Sequence, residues 1–109
     1  MAYDEGLAHR VRELLSGHEA IGEKKMFGGL SFLLQGNMAV GIIGDDLIVR
    51  VGPQGYEEAL EQDHTRAFDF TGRAMSGWIV VAPDGTEDDE ALGGWVTRGL
   101  TFAGSLPAK

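Results

Sequence analysis

The chain has no cysteine among its 109 residues. That absence removes disulfide staples, thiolate zinc sites and cysteine nucleophiles together, and it accords with a reducing compartment. No apolar run approaches the roughly 20 residues that cross a bilayer as a helix. The opening Met1-Ala2-Tyr3-Asp4-Glu5 is acidic and polar, the reverse of a secretory leader. The expectation is a cytoplasmic protein that does not engage membranes. Basic residues are scarce as well: nine Lys and Arg stand against seventeen Asp and Glu, a formal charge of −8 with a pI near 4.7. Nucleic-acid affinity rests on neutralising phosphates, so direct DNA or RNA binding is disfavoured and a protein partner fits the charge better.

Signatures of chemistry are also missing. The histidines, His9, His18 and His64, have no i, i+4 spacing and no cysteine to complete a zinc set. No serine occupies a Gly-x-Ser-x-Gly elbow. Gly28-Gly29 leads into a strand-like run instead of opening a helix, which argues against a phosphate loop. Residues 99–104 carry two glycines at the first P-loop spacing but lack the lysine. The acidic stretch 84–90 lacks the alternation of a calcium loop and reads as helix capping. No catalytic residue, metal or cofactor is expected.

What is present describes one globular domain over residues 1–109. Hydrophobic residues make up 43% and charged residues 24%, while glycine, at 17, is well above the roughly 7% average. Leu7, Val11, Leu14 and Leu15 recur at helical spacing, with Asp4 as a cap and Gly17 as a stop. From residue 24 to 51 strand-like runs follow, separated by turn pairs at Gly36-Asn37 and Gly44-Asp45. Both alternating sets in these strands contain apolar residues, which predicts a second sheet face partly covered by a helix or another subunit. Gly52-Pro53 breaks the strand, and Pro53 suits the first position of a short helix carrying Tyr56, Ala59 and Leu60. Strands at 66–70 and 76–82 come next. A last helix follows, opened by a Thr86/Asp89 capping box and carrying Leu92, Trp95, Val96, Leu100 and Ala103. Gly93, Gly94 and Gly99 lie within that helix, each costing about 1 kcal/mol relative to alanine. The order α-β-β-β-β-α-β-β-α gives an α+β two-layer sandwich, an antiparallel sheet of five to six strands with three helices.

The segment Lys24-Lys25-Met26-Phe27-Gly28-Gly29-Leu30, followed by Gly36-Asn37-Met38, resembles the opening of the TfoX N-terminal domain of the TfoX/Sxy family. Asp45-Asp46-Leu47-Ile48-Val49-Arg50 with Gly52 agrees with it, as do Phe68-Asp69-Phe70, Arg73 and Met75 through Gly77-Trp78. The resemblance implies a sheet-and-helix fold of YjbR-like or secretion-chaperone-like type. In full-length members this domain is joined to a C-terminal helical domain, and those proteins regulate competence with the cyclic AMP receptor protein at promoters. Nothing up to Lys109 corresponds to that second domain, so a stand-alone TfoX N-terminal domain is expected.

Candidate interaction residues are Lys24, Lys25, Arg50 and Arg73, a basic set near the amides of Gly28-Gly29 that suits an acidic partner or a phosphate, together with Trp78 as an interface anchor. Whether a meander brings Lys25 and Arg50 within reach of each other depends on the strand register, which the sequence does not fix. The plainer reading of all four is solvated charges that deter strand-to-strand aggregation at a sheet edge. Gly28, Gly29 and Gly36 are expected to serve turns and close backbone approaches. Two functional readings follow. The first is a non-enzymatic regulatory module that binds a protein partner or a second copy of itself. The second is a small-ligand or enzymatic domain with a pocket edged by Arg50, Arg73 and Tyr56.

Overall fold

Apolar runs punctuated by residues that tolerate positive φ become hairpins, and the computed structural model shows where each turn falls; it describes residues 3–26, 28–69, 72 and 74–108. Helix α1 (Glu5–Leu15) leads into four strands, β1 (Ile21–Met26), β2 (Gly29–Leu34), β3 (Asn37–Ile43) and β4 (Asp46–Arg50). Helix α2 (Tyr56–Leu60), strands β5 (Thr65–Asp69) and β6 (Ala74–Val81), and helix α3 (Asp89–Gly104) complete the order expected from the sequence. The six strands form one antiparallel sheet in the order β1-β2-β3-β4-β6-β5.

Local chemistry accounts for most of the boundaries. Asp4 caps α1 by accepting from the Gly6 and Leu7 amides at 2.8 and 3.2 Å. Gly44-Asp45 turns β3 into β4, with Ile43 opposite Asp46 and Gly44 at φ 60°. The β2–β3 turn is Gln35-Gly36, one residue earlier than the Gly36-Asn37 pair that the sequence indicates. Leu34 pairs with Asn37, and Gln35 and Gly36 have φ of 53° and 86°. Two consecutive positive values are the mark of a type I′ turn. Asn37 instead begins β3, buried, and its Nδ2 donates to the Pro107 carbonyl at 2.9 Å.

Two helix starts also differ from expectation. Gly55 caps α2, so Pro53 lies in the turn before it. Asp88, not Thr86, caps α3 by accepting from the Ala91 amide at 3.1 Å. Thr86 is consumed by the 3₁₀ turn Pro83–Gly85: both its amide and its hydroxyl donate to the Pro83 carbonyl.

The pleat divides the apolar side chains between two faces. Leu30, Phe32, Val40, Ile42, Leu47, Val49, Ile79 and Val81 pack against Leu7, Val11 and Leu15 of α1, Ala59 of α2, and Leu92 and Val96 of α3. Each fully buried side chain of this size contributes about 1.5–3 kcal/mol by leaving water, so this layer supplies most of the stability. On the opposite face Met38, Ile48, Phe68 and Val80 are buried, with Met26, Ile43, Met75 and Trp78 packed partly exposed against them. No described helix covers this apolar cluster. The two-sided apolar pattern therefore reflects a second small cluster and not a second helical layer.

The seating of α3 depends on Gly99. A Cβ at that position would stand 2.5 Å from the Ala39 carbonyl oxygen of β3, whereas one at Gly94 would meet nothing within 4 Å. The two glycines of one helix therefore have opposite meanings. Gly94→Ala is expected to raise stability by about 1 kcal/mol. Gly99→Ala is expected to lower it by roughly 1–3 kcal/mol, because helix and strand must part. Urea unfolding midpoints of the two variants check both signs.

Candidate functional site

The meander spreads the basic residues apart. Lys24 and Lys25 are exposed on β1, an edge strand. Lys25 stands opposite Leu30 and shares the helix-bearing face, while Lys24 stands opposite Ser31 on the helix-free face. Arg50, at the end of β4, projects from the helix-free face in register with Trp78. Three strand spacings of about 4.8 Å and the thickness of the sheet separate Lys25 from Arg50, so those two do not meet. Gly28 is exposed with φ 78° at the β1–β2 turn, whereas Gly29 is buried and a Cβ on it would collide with the Ile42 carbonyl. Close packing, not an open nest of amides, explains Gly29. Gly36 serves only its turn. Arg73 lies outside the described residues, as does Phe70. Tyr56 packs against the helix-side core, and no described cavity is lined by it together with Arg50.

Arg50 and Trp78 are brought together, with a third residue that sequence reasoning passed over. The guanidinium carbon lies 5.0 Å from the Trp78 ring centroid and 5.3 Å from that of Phe102, in the last turn of α3. Phe68 continues the aromatic row, its ring 6.4 Å from Trp78 and tilted by 48°. The backbone holds this arrangement firmly. Val51 and Gly52 both donate their amides to the Gly77 carbonyl, at 2.8 and 3.0 Å. Gly52, at φ 84°, leaves the space that the Phe102 ring fills. Burial pulls the Arg50 pKa below that of a free arginine without discharging it. Cation–π attraction of about 0.5–1 kcal/mol per ring at an exposed site offsets part of that desolvation.

Electrostatic pairing singles Arg50 out. Arg10 pairs with Asp89 at 2.8 Å, Arg66 with Asp46 at 2.9 Å, and Arg98 with Glu58 at 2.8 Å. Arg12 grips both carboxylate oxygens of Glu23 at 2.8 Å, which raises the arginine pKa and lowers that of the carboxyl. Among the described arginines only Arg50 has no described carboxylate, in a chain where acids outnumber bases nearly two to one. The acids ride mostly on helices and loops; the strands carry only Glu23, Asp46 and Asp69. Among the described residues, the helix-free face is thus left with two cations that no described carboxylate pairs, Lys24 and Arg50.

A cavity of about 230 Å³ opens on the same face, lined by Ile43, Ile48, Ala67, Phe68 and Val80 and edged by the Asp46–Arg66 pair and by Asp69. A second, of about 340 Å³, runs beside α3 between Val51, Thr97, Arg98, Thr101, Phe102 and Ser105. Its one cation, Arg98, is already held by Glu58 and the Gly55 carbonyl. Among the described residues no three His, Cys, Asp or Glu side chains come together to hold a metal ion, and no described helix is long and apolar enough to cross a membrane.

The Arg12–Glu23 pair ties α1 to β1 and gives a pH test. Glu23 has a folded pKa below its ordinary value of 4.5, so its contribution is complete above that value and is lost as pH falls through the folded one. Both side chains are about two-fifths exposed, 41% and 37%, so solvent screening holds the pair to about 1 kcal/mol or less. Glu23→Gln is expected to melt slightly below the parent at pH 7, and the difference is expected to close in acid below about pH 4. Thermal melts across pH 2–7 measure this.

Comparison with known proteins places the whole arrangement. The family model for the TfoX N-terminal domain matches residues 13–103, and no curated protein or solved structure matches the chain. The match runs through every strand and includes Arg50, Trp78 and Phe102. On that coverage the chain belongs to the TfoX N-terminal domain family.

Proposed function

We propose that this domain is a non-enzymatic protein-binding module that docks its partner on the helix-free face of the sheet. The observation that carries this reading is Arg50, flanked by Trp78 and Phe102 and without a described acid, on a face whose apolar side chains no described helix covers. Arginine and tryptophan are the residues most often found to dominate binding energy at protein interfaces. The domain measures 31 × 30 × 27 Å, so one face offers on the order of 800 Å², the area each partner contributes to a standard interface. The charge asymmetry favours a partner that is acidic where it meets Arg50. Regulation of transcription through such a protein is the version that family membership favours. A second copy of the chain is the other candidate occupant.

Lys25 provides an internal control, because it shares the helix-bearing face. Capture of a specific, nuclease-resistant partner from the native cytosol is expected to fall at least tenfold for Arg50→Glu and for Trp78→Ala. Lys25→Glu is expected to leave it unchanged. Circular dichroism melts verify that each variant is folded. Undiminished capture by both face variants would sink the reading, and light scattering that shows a dimer lost in Arg50→Glu would identify the partner as a second copy.

A further inference from the structure

We infer that the partner segment presents one carboxylate to Arg50 and, two residues away in extended chain, one aliphatic side chain to the cavity lined by Ile43, Ile48, Phe68 and Val80. This rests on the protein-binding reading above and specifies the chemistry of the partner.

The pleat of β4 sets the spacing. Asp46, Ile48 and Arg50 alternate with the core residues Leu47 and Val49, so they share the helix-free face. Successive members of that row stand about 7 Å apart, two residues at about 3.3 Å each. An extended peptide repeats its side chains at the same interval, so an acid and an aliphatic residue at i and i+2 match Arg50 and the cavity beside Ile48.

The two subsites differ in what they accept. Among the described residues no hydrogen bond or ion pair uses the Arg50 guanidinium; its described neighbours are two aromatic rings. A guanidinium presents a planar fork of N–H donors, and a carboxylate, the acceptor that a peptide side chain supplies, takes two of them at once. The cavity, at about 230 Å³, is smaller than the 300–1,000 Å³ typical of sites for drug-sized ligands and suits a single side chain. Its far rim is the Asp46–Arg66 ion pair, where the arginine is already neutralised, together with Asp69. A second acid there would meet Asp46 without a free cation. The β4 row therefore selects a segment with acid on the Arg50 side only.

Tryptophan fluorescence reads the site directly, since the chain has two tryptophans and Trp95→Phe leaves Trp78 as the only one. The probes are acetylated, amidated hexapeptides containing Glu-Ser-Leu, with Gln-Ser-Leu and Glu-Ser-Ser as controls. Calorimetry on the unmodified chain repeats the titration independently of the Trp95 change. The Glu-Ser-Leu peptide is expected to shift Trp78 emission saturably, with each control at least tenfold weaker. Arg50→Gln is expected to erase the preference for Glu over Gln, and Arg50→Lys to restore only part of it. Equal binding of Glu and Gln peptides, or no saturation at millimolar concentration while partner capture still requires Trp78, overturns this inference and leaves the protein-binding reading standing. Capture indifferent to both Arg50 and Trp78 overturns the two together.

Discussion

The contact between Gly99 and the Ala39 carbonyl sets the distance between helix layer and sheet, and the rest of the molecule is built to that distance. Because a hydrogen replaces a side chain there, α3 lies close enough to bury Leu92 and Val96 against β3 and β4. One turn further on, the margin of that helix face carries Phe102 to the end of the sheet, where its ring fills the space above Gly52 and flanks Arg50. Core packing and the aromatic setting of the arginine are thus two results of one backbone approach.

Charge is arranged around the same geometry. With acids in large excess, nearly any arginine on this surface would find a carboxylate, and four of the described ones do. Arg50 avoids them because its neighbours on the sheet face are Ile48 and Trp78 and its neighbour from α3 is Phe102. Rings attract the cation without occupying its donors. The guanidinium keeps its charge and its hydrogen-bonding capacity while losing some of its water. That combination concentrates binding potential in one side chain.

Much of the fold was legible in local sequence: the Asp4 cap, the Gly44-Asp45 turn and the element order; Arg50 and Trp78, singled out separately there, stand 5.0 Å apart in the structure. Errors of one or two residues arose where several polar or small residues competed for one role. Gln35, Gly36 and Asn37 can each sit in a turn, and only the pairing of Leu34 with Asn37 decides which do. Thr86 and Asp88 are both good caps, and the 3₁₀ turn before the helix takes the first. Strand order was not legible, because β6 enters beside β4 through long-range packing that leaves no local mark. Face assignment followed strand order, so Lys25 and Arg50 were grouped when the sheet separates them. Phe102 was missed because it lies off the Leu92–Val96–Ala103 stripe that periodicity emphasises.

The double acceptance at the Gly77 carbonyl reaches beyond hydrogen-bond geometry. By holding the amides of both Val51 and Gly52, it works as a terminal peg that halts β4 at Arg50. Strand side chains alternate, so a slip of one residue would turn Arg50 inward and Val51 outward. The peg blocks that slip from the loop side, so movement in the connection to α2 is not transmitted into the strand. The segment between Gly52 and Tyr56 is thereby insulated from the orientation of Arg50.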